Sequence, residues 1–193
     1  MNIAIISAST RLGRQTHKAA LGLLNHLQQY DHLQPVLVDL LEYKIPLFEE
    51  TLSRHPDPAD SLRKLGAILG RADAMLFVTP EYNGSYSPAL KNAVDHFNKP
   101  EFARKAIGIV TVTTGAMGGV RAGLALQHLI LALFAYPTPQ MLLVPGVQTK
   151  FDEAGNLLDA AFEKNIANFM KEFLWLAEAV LEKKKNEIVV SGK

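Results

Sequence analysis

Five short apolar runs, rich in β-branched residues, punctuate the chain at 3–7, 35–39, 74–79, 106–111 and 140–144. Each is continuous rather than alternating, the pattern of a strand covered on both faces. Between them the apolar positions fall into helical spacing at about 15–30, 59–71, 87–98, 119–136 and 159–185. Strand and helix alternate, which predicts a parallel sheet with right-handed crossovers.

Five strands with five helices predict an α/β, flavodoxin-like three-layer sandwich. Its sheet is a five-stranded parallel one, in the order 2-1-3-4-5, with helices on both faces. In that order the switch point lies between the first and third strands, so the loops at 8–14 and 80–86 fall on one crevice. Both loops are unusual. The second reads Pro80-Glu81-Tyr82-Asn83-Gly84-Ser85-Tyr86, with Asn-Gly at its centre and Pro88 opening the next helix. Gly84 allows close approach of backbone to a ligand, and the prolines stiffen both ends.

The first loop, Ser7-Ala8-Ser9-Thr10-Arg11-Leu12-Gly13-Arg14-Gln15-Thr16, offers hydroxyls, two guanidinium groups and a glycine beside a helix N-terminus. Free N–H groups and a partial positive charge make such an end an anion site. The hydroxyls of Ser9 and Thr16 add hydrogen bonds, and Arg11 or Arg14 adds a charge-assisted one. Ordinary capping by Ser or Thr is the plainer alternative. Neither a Walker A loop nor a G-x-G-x-x-G fingerprint is present, so a mononucleotide phosphate fits better than a dinucleotide. A third loop, Thr113-Thr114-Gly115-Ala116-Met117-Gly118-Gly119-Val120-Arg121, carries three glycines in five residues, as an anion-binding nest or a flexible helix lead-in. Together the loops suit a flat heteroaromatic ring with a phosphate tail.

Composition removes competing chemistries. With 20 basic and 19 acidic residues the chain offers no charge for nucleic acid or an anionic membrane. It has no cysteine, which excludes disulfides, thiolate catalysis and Cys-based metal sites. The six histidines show no metal-ligand spacing, and no G-x-S-x-G elbow occurs, so neither a metal centre nor a serine hydrolase is expected. The longest apolar run, 129–136, is far short of a membrane span, and the N-terminus lacks a secretory pattern, so a cytoplasmic location is expected. At 193 residues, one domain over 1–185 with a tail over 186–193 is the expected organisation. The long connection at 40–58 reads either as a functional rim or as a surface excursion packed on the second helix.

Pro80-Glu81-Tyr82-Asn83 with Leu90-Lys91-Asn92-Ala93-Val94-Asp95, Ser9-x-Arg11 with Thr16, and Gly118-Gly119-x-Arg121 resemble the motifs of the NADPH-dependent FMN reductase family. That family includes quinone, azo-dye and chromate reductases, and the resemblance covers about the whole chain. Ala8 stands where the family usually has Gly, and Arg14 where a small hydroxyl residue is common. The resemblance implies FMN as cofactor, with Ser9, Arg11, Gln15 and Thr16 on its phosphate. Pro80, Glu81, Tyr82, Asn83, Gly84 and Ser85 would line the ring, and Thr114 and Gly115 its other edge. It implies hydride transfer from NADPH or NADH to a small acceptor without a protein acid–base pair. It also implies a homodimer or homotetramer packed through the helices from 87 and 119. Glu81 and Arg121 can pair within one subunit or across two. The competing reading is a flavodoxin-type electron carrier, which needs an acidic docking face that this near-neutral chain lacks.

Overall fold

The computed structural model describes residues 1–191, with side chains through 187. In chain order the elements are β1 (Asn2–Ser7), α1 (Thr16–Leu27), β2 (Gln34–Asp39), α2 (Leu40–Tyr43), α3 (Asp60–Arg71), β3 (Ala74–Pro80), α4 (Pro88–Asp95) and α5 (Lys99–Phe102). There follow β4 (Ala106–Val112), α6 (Val120–Ala132), β5 (Tyr136–Pro137), β6 (Leu142–Val144), two short 3-10 turns and α7 (Glu163–Ser191). The sheet is parallel in the order β2-β1-β3-β4-β5, the expected flavodoxin-like arrangement.

Alternation along each strand sends successive side chains to opposite faces. Ile3 and Ile5 of β1 pack with Leu23 and Leu27 of α1 and Phe169 and Phe173 of α7. Ala4 and Ile6 face the other layer, with Leu62 and Leu65 of α3, Leu90 of α4 and Leu126 of α6. Both faces of β1 are thus dry, as its continuous apolar run demands, whereas the edge strand β2, expected to be covered on both faces, leaves Val36 exposed.

The fifth strand departs from expectation. The run at 140–144 supplies only β6, which pairs with the end of β4, while β5 pairs with its start. Pro137 and Pro139 lack the N–H that a continuous ladder needs, so the strand position is filled in two pieces. The helix expected through Tyr136 stops at Ala132, and Phe134 follows in the left-handed region, at φ +59°. The last helix, expected to end near Lys185, continues to Ser191. Of the tail expected at 186–193, residues 192–193 and the side chains from 188 onward lie outside the described residues.

Register sets the site. Ser7 lies beside Asp39 and Val78, and Val78 beside Val110, so β1, β2, β3 and β4 end along one edge. The loops that follow them therefore meet there.

Candidate active site

The loop after β1 enters α1 without a side-chain cap: Gln15 is the N-cap residue and makes no capping bond. The hydroxyls of Ser9 and Thr16, both buried, are therefore not used as caps for this helix. Gly13 sits at φ +65° with open space around its missing side chain, which lets the loop turn back on itself. The two arginines have separate fates. Arg14 forks onto the Asp39 carboxylate at the end of β2 and donates to the Ser9 carbonyl at 3.1 Å. Arg11 is exposed to solvent at the mouth of the loop. Burial pushes the Asp39 carboxyl up, but hydrogen bonds from Arg14 and the Leu41 N–H, with the charges of Arg14 and His17, outweigh it and hold it below its ordinary value. His17 Nδ1 lies 3.2 Å from Ser7 Oγ and 3.4 Å from Asp39. Burial lowers its pKa, assisted by the Arg14 charge, while Asp39 and Glu42 oppose.

The loop after β3 is a tight hairpin. Tyr82 and Ser85 exchange backbone hydrogen bonds of 2.8 and 3.0 Å, and Asn83 and Gly84 take φ +50° and +81°. Two left-handed residues in sequence are what a type I′ turn requires, and Asn-Gly supplies them. The amides of Asn83 and Gly84 are not consumed by the turn. Ser87 joins this loop to the first: its Oγ donates to the Ala8 carbonyl and accepts from Leu90 N–H, capping α4. The Tyr82 hydroxyl meets Ser9 Oγ at 3.1 Å. Glu81 binds Arg121 Nε at 3.0 Å within the same chain and accepts from Ala122 N–H at 3.4 Å. Its carboxylate thereby supplies the negative charge that the glycine N-cap of α6 cannot.

The glycines of the third loop divide their work. Gly118 and Gly119 are buried with positive φ, and a side chain there would press on Leu143 and Thr111, so they serve close packing. Gly115 alone of the three opens to solvent, beside exposed Thr114.

The three loops bound a cleft of about 450 Å³ lined by Ser9, Arg11, Gln15, Thr16, Pro80, Glu81, Tyr82 and Thr114. Across Tyr82 lies a wider groove of about 940 Å³, which shares Arg11, Glu81 and Tyr82 with the cleft and is also lined by Asn83 and Ser85. Gly84 and Gly115 line neither, though each sits within a loop that does. Thr113 of the third loop lines the cleft too, as do Val112, Val147 and Gln148, which sequence reasoning missed. Residues 145–149 leave the sheet's carboxyl edge directly after its last strand, which is the signal that points to them. Gln15 Oε1 is buried with no hydrogen-bond partner, an acceptor on the cleft that wants a donor from a ligand.

A doubly wound parallel sheet with a cleft at the carboxyl ends of its switch-point strands defines an α/β protein of the flavodoxin type. Residues 1–149 match the family model for NADPH-dependent FMN reductases, and the chain belongs to that family. It is an oxidoreductase that uses FMN and NAD(P)H. A quinone reductase of Pseudomonas putida is 32% identical over 139 residues, 66% of this chain and 74% of the relative. An FMN-dependent NADPH-azoreductase of Staphylococcus aureus is 27% identical over 177 residues, 88% of this chain and 92% of the relative. The flavoenzyme FerB from Paracoccus denitrificans, an NAD(P)H:(acceptor) oxidoreductase, shares the fold with a TM-score of 0.77 at 22% identity, over 92% of this chain and 97% of that one. Among the described residues no helix is long and apolar enough to cross a membrane.

Proposed function

We propose that the cleft holds FMN by its phosphate end and that the enzyme passes reducing equivalents from NAD(P)H to a small organic or inorganic acceptor. One observation carries the reading: an uncapped helix N-terminus, two buried hydroxyls and an exposed arginine open onto the same cleft as Pro80, Tyr82 and Thr114. The donor set suits a phosphate dianion. The unpartnered Gln15 Oε1 suits a hydroxyl of a ribityl chain. When bound, FMN supplies two-electron chemistry, taking hydride from NAD(P)H and passing electrons to the acceptor.

Every other role belongs to the chain. Ser9, Thr16, Arg11 and the first amides of α1 hold the phosphate, with Gln15 beside it. Pro80, Glu81, Tyr82, Asn83, Gly84 and Ser85 line the ring, and the amides left open by the Asn83–Gly84 turn offer hydrogen bonds to its polar edge. Thr114 and Gly115 bound the opposite edge. Arg14 also lines the cleft, but both arms of its guanidinium are engaged by Asp39, which leaves Arg11 as the freer cation. The electron-carrier reading is not favoured, since the family is one of reductases.

The half-exposed Leu124, Leu131 and Phe134 form an apolar stripe on and after α6 that supports a homodimer or homotetramer. A cytoplasmic location is part of the proposal.

Equilibrium titration with FMN and with riboflavin tests the site. FMN binds about ten-fold or more tightly than riboflavin, and Arg11→Met and Thr16→Val each narrow that ratio. Equal affinity for the two flavins, or no NAD(P)H oxidation by the FMN-loaded protein, overturns the reading.

A further inference from the structure

The first loop carries a countercharge that works against an anion. Arg14 lines the cleft, yet its guanidinium forks onto Asp39, a buried carboxylate at the end of β2 that does not line the cleft itself. The same guanidinium donates to the Ser9 carbonyl at 3.1 Å, which ties the loop to the pair. Asp39 is held in place from its other side. It is the N-cap of α2 and accepts from Leu41 N–H at 3.1 Å. The carboxylate is therefore fixed where Arg14 must meet it.

The charges around this pair sum to little. His17 Nδ1 lies 3.4 Å from Asp39, and burial lowers its pKa, so the ring is uncharged near neutral pH. Glu42 on α2 is the remaining ionised group near His17, and it is exposed to water. Among the charged residues that line the cleft, Glu81 is paired with Arg121 and Arg14 with Asp39. Arg11 meets an incoming anion with its full charge, whereas Arg14 meets it as half of a neutral pair. A neutralised guanidinium adds little field at a phosphate. Without its carboxylate it would add a full positive charge, and its side chain is only 16% exposed, so water and salt screen it weakly.

We propose that Asp39 determines how strongly the cleft prefers a phosphorylated flavin, because by neutralising Arg14 it limits the phosphate grip to one full cation, Arg11. The proposal rests on the reading that the FMN phosphate lies at the first loop, and it adds a residue outside that loop that weakens the grip. Asp39 acts through Arg14 and is a positioning residue.

The test titrates the flavin-free protein with FMN and with riboflavin, followed by flavin fluorescence, at about pH 7.5, where the phosphate is largely a dianion. The quantity read is the riboflavin Kd divided by the FMN Kd. In Asp39→Asn this ratio widens about five- to ten-fold, through tighter FMN binding. A merely structural role gives the opposite sign, since loosening the loop weakens FMN. In the double variant Arg14→Met with Asp39→Asn the ratio returns to within about two-fold of wild type, because removing both members leaves the local net charge unchanged. The double variant also leaves no charge stranded, so it carries the test if Asp39→Asn does not fold. An unchanged or narrowed ratio in Asp39→Asn overturns the proposal. So does a double variant that narrows the ratio, which would make Arg14 a phosphate ligand already, or one that keeps the gain, which would leave Arg14 no part in it. Each of these leaves the FMN reading in place. If the wild type binds the two flavins equally, that reading fails, and Asp39→Asn decides the proposal alone: a preference for FMN that appears there and vanishes with Arg14 upholds it, and its absence overturns it. No binding of either flavin to any variant overturns both.

Discussion

Replacing Asp39 by Asn removes the anion beneath the first loop while keeping its shape. In the wild type the Asp39 carboxylate is 6% exposed and takes both guanidinium arms of Arg14, whose side chain is 16% exposed. Removing one member of a buried pair costs about 3–5 kcal/mol when the remaining charge is sealed from water. Arg14 keeps partial access to solvent, and the amide oxygen of the introduced asparagine still accepts from Leu41 N–H, so the expected loss is about 2–3 kcal/mol. For a chain of this length that lowers Tm by about 5–10 °C. Urea denaturation, read as a shifted midpoint at constant m-value, measures the loss.

The pH dependence gives a second check. The folded-state pKa of Asp39 is depressed, so its contribution is present above the ordinary carboxylate value and lost as pH falls through the folded value. The gap between wild type and Asp39→Asn is therefore full at pH 7 and closes below about pH 4. A loss under about 0.5 kcal/mol, the size expected of an exposed ion pair, refutes the reasoning. So does a gap that persists unchanged in acid.

Three further outcomes are expected. Gly155→Ala would set a side-chain carbon 2.6 Å from the Gly22 nitrogen, at φ +81°, against helix backbone that cannot yield; urea denaturation finds a loss of at least about 2 kcal/mol. Glu81→Gln removes the negative charge at the α6 N-terminus, and thermal unfolding finds about 0.5–1 kcal/mol lost, from the helix end rather than from the Arg121 pair, because Arg121 is 74% exposed. Lys105, buried with its Nζ 2.6 Å from the Leu69 carbonyl, has its pKa lowered to about 8, by burial first. The unfolded chain holds that proton to higher pH, so urea midpoints from pH 7.5 to 10 find the wild type gaining stability relative to Lys105→Met as pH rises.

Much of the fold was legible because its signals are local. The first four strands begin and end within a residue or so of their apolar runs; in β1, β3 and β4 this is because a strand covered on both faces tolerates polar residues only at its ends, while β2 lies at the sheet edge with Val36 exposed. The split fifth strand was not legible from apolarity. It follows from Pro137 and Pro139, whose missing N–H groups matter only against a particular neighbour, β4. The three loops were recognisable from their hydroxyls, glycines and arginines, and Asn83-Gly84 announced its turn from two residues alone. Val147 and Gln148 carry no chemistry that marks them, and only their place after the last strand points to the cleft.

By itself, then, the order of apolar runs and polar turns determined a parallel sheet with its polar, glycine-bearing loops along one edge, because secondary structure and turn chemistry depend on neighbours in the chain. Only the tertiary structure decided which of two nearby arginines is paired within the chain. The parallel register of β1 with β2 brings Asp39 under the first loop, where it neutralises Arg14 and leaves Arg11 at the mouth of the cleft. Opposite charges far apart in sequence find one another only after the strands that carry them have aligned.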